Sequence, residues 1–264
     1  MNRRFVDYDR IAESYDQRYA LNRLDGVARA LDERLARTGV ERILDVGCGT
    51  GRWLAELAPM AGIALGLDRS LAMLLRVPAR NGREALVCGS GDNIPFCDSS
   101  VDFVSCVNVI HHLAVPSSFV SDAVRLLRSK GALAVVGLDP HQERGRWYLY
   151  DYFPEARALD LQRYPSAEQL RTWMTASGLE DIETVEVERI QRRFTGGEIL
   201  EDYFLQRKAS SQLALLTNEA WAQGLHRIRM AIQEGEDQGE PPVFEVDLAL
   251  FLVCGRKPAA RTQS

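Results

Sequence analysis

The stretch Leu44-Asp45-Val46-Gly47-Cys48-Gly49-Thr50-Gly51 decides the fold. A short apolar run starting at Ile43 leads into it. A helical pattern begins near Arg52, with Trp53, Leu54 and Leu57 on one face. Together they read as strand, glycine loop, helix. Glycines at every second position, 47, 49 and 51, leave no Cβ in the way, so a ligand can lie directly on the backbone. The loop also opens a helix, whose first N–H groups lack an internal partner and favour a negative group or an acceptor.

Spacing separates the cofactor classes that use such a loop. A dinucleotide fingerprint needs glycines at its first, third and sixth positions, and counting from Gly47 the sixth is Arg52. A phosphate-cradling loop needs Gly-Lys-Ser/Thr, and no such triplet follows. What remains, Asp45 ahead of Gly47, Gly49 and Gly51, closely resembles motif I of class I S-adenosylmethionine-dependent methyltransferases, of the small-molecule, type 11-like kind. The resemblance implies S-adenosylmethionine as cofactor and S-adenosylhomocysteine as product. It places Asp45, Gly47, Cys48, Gly49, Thr50 and Gly51 in the cofactor site.

Later segments arrive in the order that family requires. Ile63 to Leu67 is a second apolar run ending at Asp68, where an acidic side chain can accept both ribose hydroxyls. Arg69 to Leu74 resembles the helix start after that aspartate, bringing in Arg69 and Met73. Gly89-Ser90-Gly91-Asp92-Asn93-Ile94-Pro95-Phe96 resembles the adenine-side loop. Many relatives carry an aspartate where this chain has Ser90, so Asp92 or backbone groups are alternative adenine contacts. Ser90, Gly91, Asp92 and Asn93 all enter the expected site. Val101 to Val107 is a fourth strand, and Asn108-Val109-Ile110-His111-His112-Leu113 resembles the segment at its tip, adding Asn108 and Val109. The resemblance covers roughly Tyr8 to Leu138.

The chain of 264 residues is ordinary for an α/β domain with insertions, and its 46% apolar residues suffice for a sizeable core. A formal charge of −5 gives no general pull toward nucleic acid or an anionic membrane. Five cysteines show no metal-ligand spacing, so no metal is expected and free thiols are. The first residues carry no apolar h-region and no stretch is long enough to span a bilayer. A cytoplasmic protein acting on a small molecule, monomer or homodimer, is the expectation.

Residues 1–40 read as an N-terminal helical cap, helical from about Asp7 to Arg37. Tyr8 to Asp16 resembles the N-terminal stretch that folds over the cofactor in many small-molecule methyltransferases. Tyr8 and Tyr15 then either cover its methionyl end or simply pack this helix on the sheet. Residues 41–138 alternate strand and helix, with a helix from Ser117 to Leu127 closing at Gly131 and a fifth strand from Ala132 to Leu138. Ser166-Ala167-Glu168-Gln169 has capping-box spacing and starts a helix through Ala176, stopped at Gly178. Asp181 to Arg189 and Val243 to Val253 close the sheet within 166–257. The fold class is α/β, a Rossmann-like, seven-stranded, mostly parallel sheet with helices on both faces, N-terminal helices and helical lid insertions. The insertions are an aromatic-rich segment, 139–165, and a segment 195–242 with helices around Tyr203 to Leu216 and Glu219 to Gln233. The latter is either lid or dimer surface. Residues 258–264 read as a loose tail.

The chemistry implied is in-line methyl transfer, in which holding the nucleophile contributes most of the acceleration. An acceptor hydroxyl or carbon acid also needs its proton removed, which suits a histidine titrating near neutrality. His112 at the fourth strand tip is the candidate base, with His111 and His141 as alternates. The competing reading is that His112 only braces its loop. Trp147, Tyr148, Tyr152 and Tyr203 are the candidate substrate contacts. The fourth-strand segment lacks the proline-rich pattern of methyltransferases acting on base or glutamine amide nitrogens. An O, N or C atom of a small molecule remains as the acceptor. The rivals are a cofactor-binding subunit that does not methylate and an enzyme acting on tRNA or protein.

Overall fold

Short runs of leucine, isoleucine and valine build the strands, and charged or glycine-rich segments separate them. The computed structural model describes residues 6–36, 40–78, 82–142 and 145–260. The strands are β1 (Arg42–Val46), β2 (Ile63–Asp68), β3 (Glu84–Cys88), β4 (Val101–Val107), β5 (Leu127–Leu138), β6 (Glu180–Thr195) and β7 (Val243–Arg256). They form one seven-stranded sheet in the order β3-β2-β1-β4-β5-β7-β6. Strands β1 to β5 pair in parallel, and β7 runs antiparallel to β5, with Ala132 opposite Arg256 and Leu138 opposite Leu250. This is the expected Rossmann-like, mostly parallel sheet. Its central strands are apolar nearly throughout, as strands covered on both faces must be: Ile43, Leu44, Phe103, Val104 and Cys106 are fully buried.

The helices are α1 (Gln17–Leu21), α2 (Asp25–Ala36), α3 (Arg52–Leu57), α4 (Leu71–Leu74), α5 (Pro116–Leu126), α6 (Tyr148–Tyr152), α7 (Pro154–Arg163), α8 (Ala167–Ala176), α9 (Ser211–Ala214) and α10 (Asn218–Gln238). None among the described residues is long and apolar enough to cross a membrane. The capping box of α8 forms: Ser166 Oγ accepts the Gln169 N–H, and the Gln169 side chain accepts the Ser166 N–H.

Several boundaries differ from the sequence reading. The N-terminal region is not one helix. A 3-10 turn at Ala12–Ser14, then α1, then α2 follow one another, broken where Asn22 is extended and Leu24 takes φ 56°. Arg37 lies outside the described residues. The helix expected from Tyr203 to Leu216 is instead a 3-10 turn at Tyr203–Leu205 followed by α9. Asp202 accepts the Phe204 N–H and Ser210 the Leu213 N–H, so two local caps each start a separate turn. The fifth strand begins at Leu127, because Lys130 turns the chain with φ 67° inside the strand rather than before it. The start of the tail is anchored. Lys257 Nζ donates to the Val124 and Leu127 carbonyls at the end of α5, and Ala260 N donates to Ser129 Oγ. Residues 261–264 lie outside the described ones.

The chain divides into two units. The larger holds Tyr8–Asp139, Pro165–Glu188 and the chain from Leu250 onward, with the five parallel strands. At the foot of its sheet, Asp102 accepts the Glu41 and Arg42 N–H groups and fixes the start of β1. The smaller holds Pro140–Tyr164 and Arg189–Ala249, together with Val6 and Asp7. Its interior mixes apolar side chains (Leu149, Phe153, Ile199, Leu213, Ile228, Phe244) with a bonded polar network. Asp160, fully buried, accepts from Tyr150, Gln212 and Arg163, which satisfies a carboxylate that would otherwise be costly to bury.

The Phe153 ring lies flat on α10 at Gly224, where an added Cβ would stand 2.1 Å from ring carbons. Gly224→Ala should therefore lower stability by about 1–3 kcal/mol through overpacking, despite alanine's better helix propensity. A thermal melt at or above the wild-type midpoint would show that the ring moves aside freely.

Candidate functional site

The order of the parallel strands reverses direction between β1 and β4, the place where open α/β sheets bind ligands beyond their strand ends. A cleft lies there, lined by residues of the loops after β1, β2, β3 and β4 together with Tyr8 and Tyr15. Its floor is the glycine loop. Gly47, Gly49 and Gly51 all take positive φ (73°, 54° and 82°), a conformation L side chains resist. The three then differ. A Cβ at Gly47 would strike Val109 at 2.3 Å and one at Gly51 would meet Val77 at 2.8 Å, whereas one at Gly49 would meet only Tyr15 at 3.8 Å. Gly49 thus presents bare backbone to open space.

The loop's own N–H groups are largely occupied, which the sequence reading did not anticipate. Gly47 and Cys48 donate to the Leu67 carbonyl, and Gly49 donates to Asp68 Oδ2 at 2.8 Å. Asp68 Oδ1 accepts the Ser70 N–H at 2.8 Å. Asp68 lines the cleft as a carboxylate fixed at both oxygens, each with a lone pair remaining.

Beneath the loop, Asp45 is 1% exposed. Its Oδ1 accepts the Ser105 hydroxyl at 2.8 Å, and its Oδ2 has no hydrogen-bond partner among the described residues. Burial raises its pKa to about 7; the Ser105 bond opposes the shift and the Asp68 charge adds to it. Burial likewise pushes the Cys48 thiol up, so it is a protonated packing group rather than a nucleophile.

The segment Tyr8–Asp16 is fastened to all three loops. Tyr8 Oη and His112 Nε2 share a 2.6 Å hydrogen bond after β4. Ser70 Oγ donates to Asp9 after β2, and Thr50 Oγ1 to Asp16 after β1, both at 2.5 Å. The Tyr8 ring meets Tyr15 and His112 edge to face.

Of the residues singled out from sequence, the cleft brings together Tyr8, Tyr15, Gly47, Gly49, Asp68, Arg69, Met73, Ser90, Gly91, Asp92, Asn108, Val109 and His112. Asp45, Cys48, Thr50, Gly51 and Asn93 stand behind or beside its wall. His111 is buried, its ring 4.0 Å from that of His112. Asn108 holds φ 56°, a strained conformation at the strand tip of the kind that gathers at functional sites.

Five residues lie in the smaller unit. His141 Nε2 bonds the Tyr164 carbonyl at 2.9 Å. Trp147 packs on Tyr150, Tyr152 on Phe244, and Tyr203 on Phe204. Tyr148 is 1% exposed and donates its hydroxyl to Asp202 at 2.7 Å, so its surface serves its own unit's interior and offers none to a substrate. Sequence reasoning did not pick out Asp9, Asp16 and Ser70, whose bonds appear only when the N-terminal segment meets the loops. Leu67 and Leu113, which also line the cleft, were not singled out as site residues from sequence.

Residues 44–135 match a family model described as a methyltransferase domain. The chain is 28% identical over 241 residues to a biotin biosynthesis bifunctional protein of Cellvibrio japonicus, covering 87% of this chain but 43% of that protein. It thus spans less than half the length of that relative. A demethylmenaquinone methyltransferase of Clavibacter sepedonicus is 26% identical, covering 67% of this chain and 82% of the relative. In fold, the chain resembles phosphoethanolamine N-methyltransferase 2 of Haemonchus contortus solved with S-adenosyl-L-methionine. The TM-score is 0.57 with 19% identity, covering 95% of this chain and 57% of that one.

The buried acid carries a pH signature. A carboxyl whose folded pKa is about 7, against 3.8 unfolded, holds its proton more tightly when folded, so its contribution to stability falls as pH rises between those values. Asp45→Asn keeps an oxygen for Ser105 and removes the titration. Relative to wild type, the variant should gain on the order of 4 kcal/mol between pH 4 and pH 7, then no more. Parallel stability curves over that range, from denaturant titrations, would show that Asp45 does not titrate there.

Proposed function

We propose that this protein, whose residues 44–135 match a family model described as a methyltransferase domain, transfers a methyl group from S-adenosylmethionine to an O, N or C atom of a small molecule. The observation that carries the reading is the Tyr8–His112 hydrogen bond in the same cleft as the open face of Gly49 and the fixed carboxylate of Asp68.

The residues present suit the cofactor. The bare backbone at Gly49 is a cradle that a side chain would fill. Asp68 keeps lone pairs for ribose hydroxyls after taking its two backbone N–H groups. Buried Leu67, Met73 and Leu113 offer an apolar wall to a base. When bound, the cofactor supplies a methyl group already made electrophilic by its sulfonium.

The protein's share is then placement, exclusion of water and proton removal. Orientation of this kind is worth roughly 7–11 kcal/mol in favourable systems. Tyr8 and Tyr15 close over the glycine loop and keep water from the reacting atoms. His112 and Tyr8 form a pair that shares a proton across a 2.6 Å bond. An acceptor hydroxyl or carbon acid gives its proton to that pair, while an amine acceptor needs only its neutral form held in line. General-base assistance of this type contributes about 10²–10⁴-fold.

Calorimetric titration with S-adenosylmethionine, S-adenosylhomocysteine and NAD, followed by a screen of small acceptors, tests the proposal. Binding of both adenosyl ligands but not NAD, with methyl transfer to at least one acceptor, is expected. Binding without transfer to any acceptor would favour a non-methylating role, and preference for NAD would overturn the reading. Given an active hydroxyl or carbon-acid acceptor, His112→Gln should lower kcat by roughly 10²–10⁴-fold and Tyr8→Phe by a smaller factor, with cofactor affinity changed little. Wild-type kcat in both variants would remove the pair from the chemistry.

A further inference from the structure

Within the smaller unit, strands β6 and β7 and the segment at Gly145 and Arg146 line a groove of charged side chains. On β7, Phe244 and Val246 are buried, while Glu245 and Asp247 alternate with them on the opposite, half-buried face. On β6, Arg189 and Gln191 both reach Asp247, which puts them on that same face. Arg193, two residues further along the strand, shares it. Arg146 is fixed to the groove through its backbone. Its carbonyl accepts the Asp247 N–H at 2.6 Å, and Trp147 pairs with Val246. Gly145 takes φ 93°, and a Cβ there would stand 2.0 Å from the Asp247 carbonyl oxygen, so the chain lies pressed on β7.

The charges on this face do not cancel. Asp247 accepts both arms of the Arg189 fork, at 2.7 and 2.8 Å, and a further bond from Gln191 at 3.3 Å. Chiefly the Arg189 bonds hold its carboxyl below its ordinary value, so that pair is ionised and matched within itself. Arg192 is answered elsewhere: it bonds Asp202 at 3.2 Å and lies over the Phe204 ring. Arg146, Arg193 and Glu245 remain. Arg146 and Glu245 stand 3.5 Å apart, a loose pair whose arginine is 80% exposed. Arg193 is exposed, and among the described residues its side chain has no hydrogen bond or ion pair. Two guanidinium groups therefore share one carboxylate.

We infer that this groove binds the phosphate group of a phosphorylated small molecule between Arg146 and Arg193. A tetrahedral phosphate offers three terminal oxygens in different directions and can accept from two arginines carried on separate segments. A carboxylate is planar and is matched by a single fork, as Asp247 is by Arg189. Glu245 competes for Arg146 and gives it up when the phosphate enters. Every residue lining the groove belongs to the smaller unit, so the inference does not rest on the methyl-transfer reading. The site is open to solvent, which keeps the binding modest and sensitive to salt.

Titration of the full chain with methyl phosphate and with malonate, two small dianions, at low ionic strength tests this. Methyl phosphate should bind saturably with Kd on the order of 1 mM, and at least about fivefold more tightly than malonate. Replacing both arginines, Arg146→Gln with Arg193→Gln, should weaken that binding by about tenfold or more. Glu245→Gln removes the competing carboxylate and should tighten it by about twofold to fivefold. Arg229→Gln, at an exposed arginine of α10 in the same unit, should leave it unchanged and controls for the loss of charge alone. No saturable binding by the wild type up to about tenfold the expected Kd overturns the assignment. Equal binding of the two anions overturns it too, as does wild-type affinity in the double variant or weaker binding in Glu245→Gln.

Discussion

The carboxylate of Asp68 is the joint on which the site depends. It sits at the end of β2 and takes one N–H from the glycine loop and one from the turn into α4. One residue earlier, the Leu67 carbonyl takes the Gly47 and Cys48 N–H groups. Two loops that have no regular pairing with each other are thereby held at fixed distance by four hydrogen bonds to the last two residues of one strand. Parallel register makes this possible, since Val46 lies opposite Leu67. A slip of one residue would turn Asp68 away from the loop it clamps.

That clamp explains why glycine is needed at three nearby positions for three different reasons. Gly47 must turn with positive φ while lying against Val109. Gly51 does the same against Val77 and starts α3, whereas Gly49 alone faces open space. The loop's amides are mostly committed inward, so what it offers a ligand is chiefly a surface without side chains. The charged and polar side chains that line the cleft around it include Asp68, Arg69, Asp92 and the Tyr8–His112 pair.

The smaller unit follows a different rule. Many of its aromatic residues use their rings for packing and their hydroxyls for buried carboxylates, as Tyr148 does with Asp202 and Tyr150 with Asp160. Burial pushes both phenols well above their ordinary range, so they act as donors and not as bases. An aromatic-rich segment can read as a ligand surface in sequence because composition does not say which way a ring faces. Here Tyr148 faces inward, its hydroxyl on Asp202, 54 residues away in the chain.

What the amino-acid sequence determined alone was the parallel core and its ligand-facing loops. Strand, glycine loop and helix follow one another without interruption from Arg42 to Leu57, and Asp68, Ser90 and Asn108 each follow on an apolar run or loop that local physics can recognise. The ends of the N-terminal helices, the fate of Tyr203 to Leu216 and the anchoring of Lys257 were not legible, because they turn on caps and carbonyls competing with helix propensity. The bonds of Tyr8 to His112, Asp9 to Ser70 and Asp16 to Thr50 span 104, 61 and 34 residues. No periodicity encodes such pairs. Only the folded sheet, by bringing three strand tips to one edge, decides that these side chains meet.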